Sequence, residues 1–299
     1  AGDLSVTGDY SSTTAGTSNL RLGVNAGNSI ASGGIQNVCV GDEAGTAITT
    51  GDYNTAVGYK ALHSDTLGNR STAIGREALL NQNFTSDTNV YNIAVGYSAG
   101  LSNLTGIQNT HLGGFSGYYG TTADNSTFVG YQAGFGNDGA KLTGNNNTAI
   151  GSQAGLVLQG AAQSNTFVGS LAGLGTTTGS SNTGVGVNAL QANTTGDINS
   201  AFGLGALYNN VGGDGNVAVG QNAMFTNTAS GGNTCIGREA GYYMTGGGNV
   251  VIGSANDGST AYAPAFNIVA QDNYISMGNS AVTNAYIKVA WTVTSDARD

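Results

Sequence analysis

The stretch that decides the fold is NTFVGSLAG, residues 165–173, because the chain repeats it. Near copies stand at 147–155 (NTAIGSQAG), 92–100 (NIAVGYSAG) and 233–241 (NTCIGREAG). Aligned on the inner glycine, fourteen copies run from Gly23 to Gly253, and eight of the thirteen spacings are 17 residues. One motif per short, nearly constant period is the signature of a solenoid, in which each repeat forms one coil stacked on the last.

Within the period, residue types hold their places. Asn stands four before the glycine in twelve copies, and Ala three after it in twelve. The residue just before the glycine is always Leu, Val, Ile or Phe. A second glycine, such as Gly51, Gly106 or Gly196, lies ten after the first in six of the eight 17-residue spacings. Two punctuated corners predict two strands of about five residues per coil. The expected fold is therefore an all-β parallel β-roll of about fourteen coils, on the order of 65 Å long at ~4.8 Å per stacked strand. Residues 1–18 read as a connecting segment, 19–256 as the roll and 257–299 as a C-terminal β segment.

Side chains alternate across a strand. One face carries the aliphatic before the glycine and, two residues earlier, mostly Thr. The other carries the Asn, the glycine and a middle row that includes Ala56, Ala73, Ala94, His111, Phe128, Ala149, Phe167, Ala201 and Ala218. Placing the invariant aliphatics inside the coil leaves the alanine-rich row outside. Since that row is also apolar, the strands need a second cover, and the expectation is a homo-oligomer packed along the middle row. The same choice of sides puts the threonine ladder from Thr110 to Thr183 inside, against an ice-binding reading. Stacked Asn side chains are expected to hydrogen-bond from coil to coil.

Charge excludes several function classes. The net charge is −9 and the eight Lys and Arg are scattered, so neither a nucleic-acid track nor a polybasic membrane patch is expected. No apolar run reaches bilayer length. The chain does not begin with Met, as expected of a fragment or a processed form. Cys39 and Cys235 share the middle row eleven coils apart, too far for a disulfide. Glu43, Glu77 and Glu239 recur at one turn position along a ridge, whereas glycoside hydrolysis needs two carboxyls facing one cleft. GGDGNVAV, from 212, has Val217 where a calcium-binding nonapeptide needs an acid. No cofactor, metal or catalytic residue is therefore expected; His111 in the middle row would bring three imidazoles together in a trimer, but a packed or hydrogen-bonded histidine is the expectation there. Two longer spacings add residues at a corner, and Phe84, Asp87, Tyr91, Phe135, Asn137 and Lys141 there are the candidate receptor contacts.

The phrase N-T-A-V-G-Y-x-A resembles the head repeats of trimeric autotransporter adhesins, which are left-handed parallel β-rolls. Residues 285–299, AYIKVAWTVTSDARD, resemble the junction to the self-cleaving intramolecular chaperone of endosialidase-type phage tail fibres and tailspikes. That resemblance implies a cut between Ser295 and Asp296, assisted by a downstream lysine. The chain stops at Asp299, so the chaperone itself is expected to be absent. Together the resemblances imply a homotrimeric, nonenzymatic tail fibre at the virion surface. Its expected partners are an upstream tail or baseplate protein and a bacterial surface glycan or protein. The alternatives are a bacterial trimeric adhesin head and, less favoured, a polysaccharide depolymerase.

Overall fold

The computed structural model describes residues 16–253 and 270–278. A fifteen-stranded parallel sheet runs the length of the molecule, each coil contributing one three-residue strand paired with its neighbours in sequence. The register keeps equivalent residues side by side: Thr148, Ala149 and Ile150 lie beside Thr166, Phe167 and Val168. The fold is thus the parallel β-solenoid expected, with a 17-residue period. A fifteenth strand, Ile275–Met277, pairs with Val250–Ile252. It falls in the segment assigned to the C-terminal region, and Gly278 ends it as the other repeat glycines end theirs.

The expected second strand is mostly absent among the described residues. Only Gly68–Asn69 pairs with Thr88–Asn89, and isolated bridges join Thr17 to Ile35 and Leu142 to Gly120 and Gly160. Backbone bonds still join the coils there, such as Thr194 N–H to the Val211 carbonyl at 2.9 Å, and side chains add to them. Asn193 donates to the carbonyl of Gly196 at 3.0 Å and Asn210 to that of Gly213 at 2.9 Å, while Asn210 also donates to Asn193 Oδ1 at 2.8 Å.

The repeat glycines hold the corner. From Gly23 to Gly253 each takes φ between 123° and 140°, a conformation side-chain-bearing residues avoid. A Cβ on Gly169 would also lie 2.5 Å from the Gly186 carbonyl oxygen. Glycine is needed twice over, for its torsion and for backbone-to-backbone stacking. The expected asparagine ladder is present. Asn182 donates through its side chain to Asn165 Oδ1 at 3.2 Å and to the Gly196 carbonyl at 2.8 Å, and its own Oδ1 accepts from the Asn199 backbone at 3.0 Å. Each of these side chains is buried with its hydrogen-bonding capacity used, which removes the cost of burying an amide.

The two strand faces are the reverse of the sequence expectation. Ala56, Ala73, Ala94, Ala149, Phe167, Ala201 and Ala218 are wholly buried inside the single chain, and Phe128 and His111 nearly so. The aliphatics before the glycines face outward: Ile74 and Ile150 are 39% exposed and Phe202 42%. The lumen explains the inversion. The chain turns back so tightly after each glycine that the alanine three residues later closes the space opposite the strand; Ala61, Ala78, Ala154, Ala172 and Ala206 are all fully buried. A row of alanines fits that gap, and β-branched side chains belong on the outer face of the pleat.

Interior volume is traded between two positions in several coils. Four residues after the glycine the backbone is left-handed in every coil from Gly23 to Gly237, occupied by Gly, Leu or Met. Leu62, Leu79, Leu207 and Met224 stand there where the strand carries Ala56, Ala73, Ala201 and Ala218. Where the strand carries Phe128 or Phe167, the partners are Gly134 and Gly173, whose added Cβ would meet the ring at 2.5 Å. Close packing thus pairs Ala with Leu or Met, or Phe with Gly, in these coils, while beside Ala94–Gly100 and Ala149–Gly155 the space is filled by Leu79 with His111 and by Leu158 with Phe167.

Candidate functional site

Two surfaces stand out, and the outward sheet face is the larger. Thr55, Thr72, Thr110, Thr127, Thr148, Thr166 and Thr183 form one partly exposed row; the aliphatics form the other. None of the described residues covers either row. The threonine ladder expected inside is therefore outside, for the same reason that the alanine row is inside.

The middle row is corrected as an interface. Ala56, Ala73, Ala94, His111, Phe128, Ala149, Phe167, Ala201 and Ala218 line each chain's own lumen, so copies of His111 cannot converge about an axis. His111 instead packs between Gly100 and Gly117 and on the Phe128 ring, with centroids 5.6 Å apart. Its Nδ1 lies buried without a partner, beside a small cavity lined by Asn103, Asn109, Ser126 and Phe128. Burial pushes its pKa down to about 4. This coil also divides the apolar core, one cluster ending at Ala99 and the next beginning at Ala123. Cys39 and Cys235 are buried free thiols, pushed up to about 11 and about 12 chiefly by burial.

The first inserted loop does not present what was expected of it. Phe84 is only 7% exposed and closes the lumen, its backbone N–H donating to Asp65 Oδ1 at 3.0 Å. Asp65 anchors a buried network: Gln82 donates to its Oδ2 at 2.6 Å and to Ser71 Oγ at 2.9 Å, and accepts from Asn92 at 2.8 Å. Burial raises the Asp65 pKa against those donated hydrogen bonds. Asp87 accepts from Asn69 at 2.5 Å. Tyr91 remains 49% exposed, beside the Arg70 guanidinium, which also lies over Tyr53. Phe84 is thus a core residue, not a receptor contact.

The second insertion forms an aromatic corner. Phe135 stacks on Tyr118 (5.2 Å, 22°), and Tyr119 stands nearly perpendicular to both. Phe115 links them to the exposed Tyr97 and Tyr131. Lys141 lies 5.0 Å above the Tyr119 ring and pairs with Asp138 at 3.1 Å, and Asn137 is exposed beside them. Burial, then the neighbouring Tyr119, Glu77, Tyr97 and Asp138, raise the Tyr118 pKa. Phe135, Asn137 and Lys141 therefore come together, along with tyrosines the sequence reading did not single out. Their signal was present: five residues after the glycine the row reads aromatic at Tyr118, Phe135, Tyr208, Phe225 and Tyr242.

The proposed cleavage junction, Ser295–Asp296, lies outside the described residues. Among the described residues no helix is long and apolar enough to cross a membrane, and no cluster of three or more His, Cys, Asp or Glu is arranged to hold a metal. Comparison with protein-family models and with curated protein sequences finds no match to this chain.

Proposed function

We propose that the chain is the repeat shaft of a homotrimeric phage tail fibre, a nonenzymatic module that attaches the virion to a bacterial surface. The observation that supports this most is the largely apolar outer face of the fifteen-stranded sheet, which none of the described residues covers. Parallel sheets are ordinarily covered on both faces, and long apolar strips mark interaction sites. The strip measures about 65 Å by about 10 Å, from strand spacing and strand width. Its roughly 650 Å² per chain lies just above the ~300–600 Å² of the largest patch on a typical monomer. The subunit contact is accordingly assigned to the Thr and aliphatic rows. The number three and the viral setting rest on the resemblance of the repeats and of residues 285–299.

Sedimentation velocity tests the assignment. The chain should sediment as a trimer, and a Val168→Glu/Val185→Glu variant should remain folded by circular dichroism but sediment as a monomer, because two charges would be buried unpaired. A monomeric wild-type chain would overturn the reading. One observation favours a second reading: the flat outward ladder Thr110, Thr127, Thr148, Thr166 and Thr183 presents regular methyls and hydroxyls, as an ice-adsorbing surface does. A monomer that arrests ice-crystal growth would support that reading instead.

A further inference from the structure

The row five residues after the repeat glycine turns aromatic in two places. Tyr118 and Phe135 stack in adjacent coils, and farther along Tyr208, Phe225 and Tyr242 stack at 4.7 and 5.0 Å with planes 17° and 8° apart. All five rings are only half-buried, although the lumen beside the first pair is filled by His111 and Phe128 and that beside the other three by alanine, leucine and methionine. They are therefore not core. Each ladder has a further tyrosine at its outer edge, Tyr119 in one and Tyr243 in the other.

The neighbouring groups narrow the ligand. The 21-residue spacing from Gly130 to Gly151 sends residues 137–141 out of the coil beside the first ladder, and the path returns at Leu142, which is fully buried. This loop offers an amide, Asn137, and a compensated ion pair, Lys141 with Asp138. Such a rim supplies hydrogen-bond donors and acceptors around an apolar floor without a net charge to recruit phosphate. A sugar has the complementary surface, with C–H groups for the rings and hydroxyls for the rim. Spacing agrees as well, since coils follow at ~4.8 Å and an extended pyranose chain advances by about 5 Å per residue. A linear polysaccharide laid along the corner would keep one sugar per coil.

We infer that the aromatic corner row, centred on Tyr118–Phe135 and Tyr208–Phe225–Tyr242, is a lengthwise binding track for a linear, uncharged polysaccharide. This rests on the host-attachment reading and names the chemistry of its receptor. Tyrosine and phenylalanine suit the task because they offer large contact areas at small entropic cost.

The test uses the full chain on an array of purified bacterial O-antigen and capsular polysaccharides. Wild-type protein should bind at least one neutral polysaccharide, and Phe135→Ala and Phe225→Ala should each weaken that binding at least about tenfold. Asn137→Ala, at an exposed loop position, should weaken it about threefold without touching the fold, and Tyr53→Ala, away from the row, should leave it unchanged. Circular dichroism of each variant separates lost binding from lost structure. Absence of binding to every polysaccharide, or equal binding by wild type and the Phe135→Ala/Phe225→Ala double variant, would overturn the inference. So would attachment to cells that protease abolishes and periodate spares. Sedimentation reads the assembly independently: a monomer that still binds sugar refutes the trimeric shaft and leaves the track standing.

Discussion

At the scale of single residues, backbone geometry and burial set the largest penalties. Gly75 has φ of 130°, and a Cβ there would lie 2.4 Å from the Gly96 carbonyl oxygen. Gly75→Ala should therefore cost about 2–4 kcal/mol, from strain plus forced separation of two coils. Gly160 has φ of 55° and nothing within 4 Å, so Gly160→Ala should cost only about 1 kcal/mol. Paired denaturation curves compare the two, and equal losses would contradict the stacking role. His111 gives a pH dependence. Its folded pKa is depressed to about 4, below the ordinary 6.5. Between those values the unfolded chain takes up a proton that the folded chain refuses, so stability is intact above pH 6.5 and falls as pH drops toward 4. The loss should be on the order of 3 kcal/mol. His111→Phe, with Gly117 already leaving room, should abolish that slope; melting temperatures from pH 4 to 7.5 would reveal it.

At the scale of the coil, the paired interior positions predict rescue. Ala56→Phe places a ring where Leu62 already fills the lumen and should cost at least about 2 kcal/mol by overpacking. Adding Leu62→Gly recreates the Phe128–Gly134 arrangement and relieves a left-handed leucine, so the double variant should lie within about 1 kcal/mol of wild type. A double-mutant cycle by thermal melts measures the coupling, and additive losses would refute the compensation. The same coil explains what the sequence made legible. Period, register, glycine corners and the asparagine ladder follow from positions alone, because each is a backbone requirement that only one or two residue types meet. Which strand face looks inward does not. Alternation groups Ala149 with Asn147 and Thr148 with Ile150, but choosing the inner pair needs the lumen width, and that depends on how sharply the chain returns at Ala154. The conventional preference for burying the larger aliphatic pointed the wrong way. The aromatic corner was half legible: Phe135 and Lys141 drew notice through the insertion, while Tyr118 needed the row read across coils.

At the scale of the molecule, the coils touch only their neighbours, so stability should be close to a sum of coil and interface terms. Excision of residues 200–216 tests this. It removes one full period, joins Asn199 to Val217, and lets Thr183–Val185 pair directly with Val217–Val219 in the existing register. The interior stays compatible, since Gly184 with Leu190 would meet Ala218 with Met224, and Asn193 would meet Asn227. The shortened chain should fold, melt within a few degrees of the parent and shorten in small-angle scattering by about 5 Å. Excision of residues 200–208 alone removes about half a coil. It should abolish the cooperative transition, because the Asn216 ladder position and the Gly220 corner would no longer face their partners. If both deletions unfold alike, the coils are not interchangeable units, and a long-range contact outside the repeat must hold the shaft together.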